Sequence, residues 1–258
     1  MVQLKAPWEL AAMRSSGRRL AEVGALLREA LEVGITTAEI DAIAEEKIRA
    51  LGSQPAFKGY SVDGVPPFPA TVCASPNSQV VHGIPNNVPL RAGDIISIDM
   101  GLHHAGYFAD LAFTLALGSV PEEVQNLLDV THQSLYDGIA AAQAGRRIGD
   151  IGYAIESTIQ PHGLGIVRQY VGHGIGRALH ERPSVPNYGK PNTGDLIKPG
   201  MCLAIEPMVT LGTWRTKTLK DKWTVVTADG SLAAHFEHTI AITPTGTEVL
   251  TVLEGHSF

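Results

Sequence analysis

The chain carries one spacing of glycines and acids twice. Gly34-x-x-x-x-Glu39-Ile40 recurs as Gly145-x-x-x-x-Asp150-Ile151, 111 positions further on, and the copies stay in step through Glu45/Glu156, Ile48/Ile159 and Gly52/Gly163. Val81-His82-Gly83-Ile84 resembles Gly172-His173-Gly174-Ile175. Arg91-Ala92-Gly93, ahead of Ile96, resembles Lys198-Pro199-Gly200, ahead of Leu203. Such Gly-bounded matches arise singly by chance; their common order argues for an internal duplication. A duplicated chain is expected to fold as two alike halves about a pseudo-twofold axis. The half-repeats span about 7–118 and 121–250, within one domain covering 1–258.

Periodicity predicts a helix pair at the head of each half: 7–32 and 37–51, then 121–145 and 149–163. Thr36 and Thr37 are N-cap candidates for the second helix, and Gly52 its stop signal. Short strands bounded by turn residues follow each pair, after a Pro-rich loop from Val65 to Pro69 in the first half. With 44% apolar and 18% charged residues, the chain has enough apolar surface for a large core. A net charge of -6 without long Lys/Arg clusters gives no support for a dedicated nucleic-acid surface. Cys73 and Cys202 make neither a zinc spacing nor a disulfide framework, and suit a reducing compartment. No stretch is long and apolar enough to span a membrane, and Met1 to Arg19 lacks the apolar core of a leader. Cytoplasmic residence is the expectation.

Strand alternation sorts the acidic residues onto one face. In 95–99, Ser97 and Asp99 oppose Ile96 and Ile98. In 201–206, Ala204 and Glu206 oppose Leu203 and Ile205. Asp110, Ala112 and Thr114 likewise oppose Leu111, Phe113 and Leu115, while Glu237, Thr239 and Ala241 oppose Phe236, Ile240 and Ile242. The duplication therefore offers two related carboxylate pairs, Asp99/Glu206 and Asp110/Glu237, among small residues. Buried carboxylates are costly unless paired or metal-bound, and no Lys or Arg stands beside these in sequence. Two divalent cations would offset four negative charges, and a carboxylate set with His173 suits Mn, Fe(II), Co or Zn better than Mg or Ca. Singly, Asp99 reads as a turn residue and His173 as a loop histidine. Only the repeated pattern points to a two-metal hydrolytic site.

At these residues the chain resembles the type I methionine aminopeptidases, which are metallopeptidases. The matching stretches are Val81-His82-Gly83-Ile84-Pro85, Gly93 to Asp99, Gly172 to Gly176, His180-Glu181, Pro199-Gly200-Met201, Ile205-Glu206-Pro207 and Phe236 to Thr239. The resemblance runs from Met13 to Val249. It implies an α+β "pita-bread" fold, a curved central antiparallel sheet covered by helices in two pseudo-twofold-related halves. It also implies Asp99 on one metal, Asp110 and Glu237 bridging two, and His173 and Glu206 on the second. Glu206 would handle the proton of a metal-bridging hydroxide. His82 would sit by the scissile nitrogen and His180 by the carbonyl oxygen, although His180 also reads as a surface loop residue.

The implied reaction is removal of the N-terminal methionine from nascent polypeptides and peptides with a small second residue. Phe68, Cys73 and Trp223 would line the methionine pocket, but Cys73 reads equally as a buried strand residue and Trp223 as plain packing. Leu179 stands where the family commonly has an aromatic, and the 53–71 loop departs from the family pattern. Partners implied are protein N-termini with transient ribosome proximity, no stable nucleic acid and no membrane, for a monomer. Three rivals remain. An aminopeptidase P or prolidase shares the ligand order, but usually carries a separate N-terminal domain. A metal-free binding module would be expected to lose ligands. A metal-storage protein would need neither His82 nor His180.

Overall fold

The computed structural model describes residues 2–253. Helix α1 spans Pro7–Ala30, with Pro at its first turn and the Glu9 carboxylate accepting from the Ala6 N–H at 2.8 Å. Its inward stripe is Leu10, Met13, Gly17, Leu20, Val23 and Leu27. Gly17 is required by a close approach, since a Cβ there would stand 2.4 Å from the Leu250 carbonyl oxygen. Helix α2, Thr37–Ala50, starts at Thr36 with a reciprocal cap. The Glu39 N–H donates to Thr36 Oγ1, and the Thr36 N–H donates to the Glu39 carboxylate. Gly52 follows the helix in the left-handed region at φ 66°. Helices α3, Glu122–Ala141, and α4, Ile148–Ile159, form the second pair. The expected fourth helix is shorter than its spacing predicts, because Gln160–His162 tightens into a 3₁₀ turn ending at left-handed Gly163.

Among the described residues the strands build one nine-stranded sheet and two three-stranded ones. The large sheet runs in the order 54–55, 95–104, 107–116, 237–243, 202–205, 172–174, 181–185, with 72–76 and 246–249 pairing at its sides. Every pairing in it is antiparallel. One face carries Ile96, Ile98, Leu111, Phe113, Leu203, Ile205, Ile240 and Ile242. Among the described residues these join Leu20, Val23 and Leu27 of α1 and apolar residues of the other three helices in one buried cluster, while Leu10 and Met13 pack in a second with Phe68, Cys73 and Trp223. The helices thus cover one face of the sheet, and the opposite face is left for the site.

Candidate metal centre

Register places the polar residues in adjacent rows across the sheet. Ala112 pairs with Asp99 on one side and with Glu237 on the other, so these three share a row and a face. The next row holds Asp110, clipped by its backbone to the Thr239 hydroxyl, then Thr239, Ala204 and His173. Glu206 follows the Cys202–Ile205 strand, where the Phe236 N–H donates to the Pro207 carbonyl and Asn187 donates to the Glu206 carbonyl oxygen. Ala112 and Ala204 lie between the acids and the histidine. Their small side chains leave room above the sheet that larger ones would fill.

The resulting atoms stand at separations that hydrogen bonds do not explain. His173 Nε2 is 3.8 Å from Asp110 Oδ2 and 3.6 Å from Glu206 Oε1. Asp110, His173 and Glu237 offer three ligand atoms all within 4.8 Å of one another. These gaps exceed the 2.7–3.2 Å of a hydrogen bond, but match two ligands each about 2.1 Å from a shared ion. Asp99 Oδ1, Asp110 Oδ1 and Glu237 Oε1 are buried without a hydrogen-bond partner. Such orphaned oxygens are costly in a protein with nothing to bind, and are what a cation would satisfy. The residues present fit a metal centre.

The metal-free electrostatics agree. Burial pushes Asp99 up to about 7, and burial with the Asp99 charge pushes Glu206 up to about 8. Asp110 and Glu237 rise well above the carboxylate range, through burial and then repulsion by their acidic neighbours. Burial holds His173 down at about 3, so its neutral, ligating form is the stable one. Its Nδ1 lies 2.9 Å from the Gly174 carbonyl oxygen, which leaves Nε2 as the lone pair facing the acids.

A cavity of about 620 Å³ opens over these rows, lined by Asp99, Asp110, His173, Glu206 and Glu237 and by all the other sequence-predicted residues. Asp99 is an outlier among the five, since it stands outside the compact ligand group of Asp110, His173 and Glu237 and pairs across strands with Cys73. Cys73 is buried, and its thiol is pushed far up by burial beside Asp99, so it acts as a small apolar wall. Phe68 meets Trp223 edge to face at 5.3 Å, and Trp223 Nε1 donates to the Pro66 carbonyl at 2.8 Å. The 53–71 loop therefore belongs to the pocket wall. His82 takes φ 59°, an unusual value for a residue with a side chain, and its ring meets Tyr170 and Trp223 edge to face. His180 stands 4.4 Å from the His173 ring, with Nδ1 at 3.0 Å from Tyr60 Oη.

Tyr60, Tyr170 and His235 are among the lining residues that escaped the sequence reading. Tyr60 and Tyr170, partners of His180 and His82, lie in irregular segments that carry no periodic signal. His235 lies two residues before Glu237, on the same alternation, and that spacing could have found it. It is 1% exposed and reaches into the carboxylate cluster.

Residues 11–244 match the model of metallopeptidase family M24, and the chain belongs to that family. Within it the chain stands among the type I methionine aminopeptidases. It is 47% identical to methionine aminopeptidase 1 of Bacillus subtilis over 97% of this chain and 99% of the relative. It is 46% identical to the methionine aminopeptidase of Clostridium perfringens over 98% and 100%. The solved methionine aminopeptidase of Thermotoga maritima superimposes with a TM-score of 0.94 at 40% identity, covering 98% of this chain and all of that one. The fold is thus the pita-bread α+β fold expected from the sequence. A prolidase from Pyrococcus furiosus shares that fold, with a TM-score of 0.78, but at 20% identity and with only 65% of its own chain covered.

Proposed function

We propose that the chain removes the N-terminal methionine from peptides and nascent polypeptides with a small second residue, using two divalent cations drawn from Mn, Fe(II), Co or Zn. The observation that carries this reading is the convergence of Asp110, His173 and Glu237 in one compact group, with His173 Nε2 also 3.6 Å from Glu206, on the floor of a cavity with an apolar wall. Asp99 would hold one ion, Asp110 and Glu237 would lie between both, and His173 with Glu206 would hold the other. Such ions polarise a carbonyl and bring the pKa of a water toward neutrality.

The chain's own groups do the rest. Glu206, a carboxylate on the cavity floor beside His173, can take a proton from the attacking water and return it to the leaving amine. His180, held through Nδ1 by Tyr60, keeps Nε2 for the substrate carbonyl oxygen as charge develops there. His82, held neutral by burial with its pKa down at about 4, stands ready by the scissile nitrogen. Phe68, Cys73 and Trp223, with Leu179, form an apolar recess suited to a flexible thioether. The α-amine of a chain end binds a metal only when neutral, and an internal peptide bond has no such group. This is the basis of exopeptidase action.

No helix among the described residues is long and apolar enough to cross a membrane. A monomer working in the cytoplasm on chain ends emerging from the ribosome fits this reading. The test is turnover of Met-Ala-Ser, Met-Lys-Ser and Xaa-Pro peptides by metal-stripped protein titrated with Mn, Fe(II), Co or Zn. Release of Met from Met-Ala-Ser alone, and only after refilling, is the expected result. Cleavage of Xaa-Pro peptides, or no cleavage with any metal, overturns it.

A further inference from the structure

His180 sits in a short turn, and the start of the chain holds that turn in place. The 172–174 strand ends at Gly174, the backbone reverses through 175–180, and the returning strand begins at Glu181. The turn sets two cavity residues side by side. Leu179 is buried in the apolar cluster with Cys73 and Trp223, and His180 stands over the His173 ring. Inside the turn the Gly176 N–H donates to the Ala178 carbonyl, and the Phe108 N–H donates to the Gly176 carbonyl. The next two donors, the N–H groups of Arg177 and Ala178, both go to Glu181 Oε1, at 2.8 and 3.2 Å.

The second oxygen of Glu181 faces Lys5. Lys5 Nζ donates to Glu181 Oε2 at 2.6 Å, and the two side chains are only 4% and 5% exposed. The other Lys and Arg ion pairs among the described residues each leave one partner more than a third exposed. Lys5 is itself anchored to the large sheet. Its N–H donates to the Gly200 carbonyl at 2.7 Å, and the Gly200 N–H donates to the Ile242 carbonyl at 2.8 Å. Its stem packs directly on the turn, since a Cβ on Gly176 would stand 2.4 Å from Lys5 Cε. A second, more exposed brace lies alongside, where Arg177 Nε and Nη2 donate to Glu9 Oε1 at 3.2 and 3.1 Å.

A buried ion pair is a poor source of net stability, because desolvating both charges offsets most of their attraction. What this pair supplies is geometry: a carboxylate held by a cation on one side grips two N–H groups on the other. We propose that Lys5 and Glu181 are positioning residues for His180, a clamp through which the N-terminal segment fixes the turn that aims this imidazole. The inference rests on the task given to His180 in the aminopeptidase reading and adds what keeps the ring in register. Tyr60 holds the ring through Nδ1, and the clamp holds the backbone that carries it. Lys5 acts at a distance, through Glu181 and the turn.

The test uses full-length Lys5→Met, which keeps the stem and removes the charge, and Glu181→Gln, which keeps an acceptor for the turn. Each is made in wild type and in His180→Ala, and turnover of Met-Ala-Ser is measured after loading with Co(II) or Mn. Lys5→Met should lower kcat on the order of 10- to 100-fold, as a group acting in the transition state is displaced. KM and bound metal should change little, and Glu181→Gln should lower kcat less. In His180→Ala neither change should lower the residual kcat further, because the clamp acts through a ring already removed. In metal-free protein the Arg177 and Ala178 amides should exchange hydrogen at least about 10-fold faster in Lys5→Met than in wild type. An equal loss of kcat with and without His180 makes the pair a general support and overturns the proposal. Unchanged exchange at those two amides overturns it as well, and Glu181→Gln carries both readouts if Lys5→Met does not fold. Wild type that releases no Met with any metal overturns the aminopeptidase reading instead, and the exchange rates still report whether the clamp holds the turn.

Discussion

The two faces of the central sheet are built from alternate residues of the same strands, yet they work against each other. Toward the helices, Ile96, Ile98, Leu111, Phe113, Leu203 and Ile205 are all fully buried in one apolar cluster. Toward the cavity, the residues between them include Asp99, Asp110 and Glu237, which are also buried but carry orphaned oxygens. Burial stabilises the first face at about 25 cal/mol per Å² of apolar surface. On the second face the same burial penalises every ionised carboxylate. The difference teaches that one sheet can carry its stability and its chemistry on opposite faces, with the first supporting the strain of the second.

Substitutions on each face should separate the two roles. Asp110→Ala should abolish turnover and lower bound metal, measured by elemental analysis. The Tm of its metal-free form should stay level or rise, since one of the mutually repelling acids is gone. A metal-free protein made markedly less stable by that change would break the contrast. Phe113→Ala, three residues along the same strand on the helix face, should cost roughly 3–5 kcal/mol in denaturant unfolding, as a large buried ring is lost. Part of that loss comes from the Arg28 guanidinium, which stacks 4.1 Å over the ring. The fraction that stays folded should keep its metal content and its kcat.

The smallest effect is also the most specific to the cavity face. Asp99 at about 7 and Glu206 at about 8 are raised above their unfolded values, so the folded metal-free protein binds more protons than the unfolded chain near neutrality. Their contribution is present at low pH and is lost as pH rises through 7 and 8. His173 and His235, depressed to about 3, act in the opposite sense, but only up to the pH near 6.5 where the unfolded histidines lose their protons. Between pH 6.5 and 8 the acids dominate. The Tm of the metal-free protein should fall by a few degrees across that range, and that of the metal-loaded protein should not. A metal-free Tm that climbs over the same interval would show that the acids are ionised at little cost.

Much of this was legible in the chain. The repeated Gly-x-x-x-x-acid spacing, the Thr36 cap and the period-two alternation around Asp99, Asp110, Glu206 and Glu237 are local signals, and local sterics and hydrogen bonding act on them directly. They determined the helix pairs, the strands and which side chains share a face. What the alternation leaves open is which residues meet across strands, because register depends on partners far away in sequence. Only the folded sheet set Ala112 between Asp99 and Glu237, and His173 beside Ala204. It also brought the irregular 53–71 loop against Trp223, Tyr60 against His180, and His235 up to Glu206. No periodicity encodes those contacts, because they form between segments whose own backbones are set by turns and long-range packing.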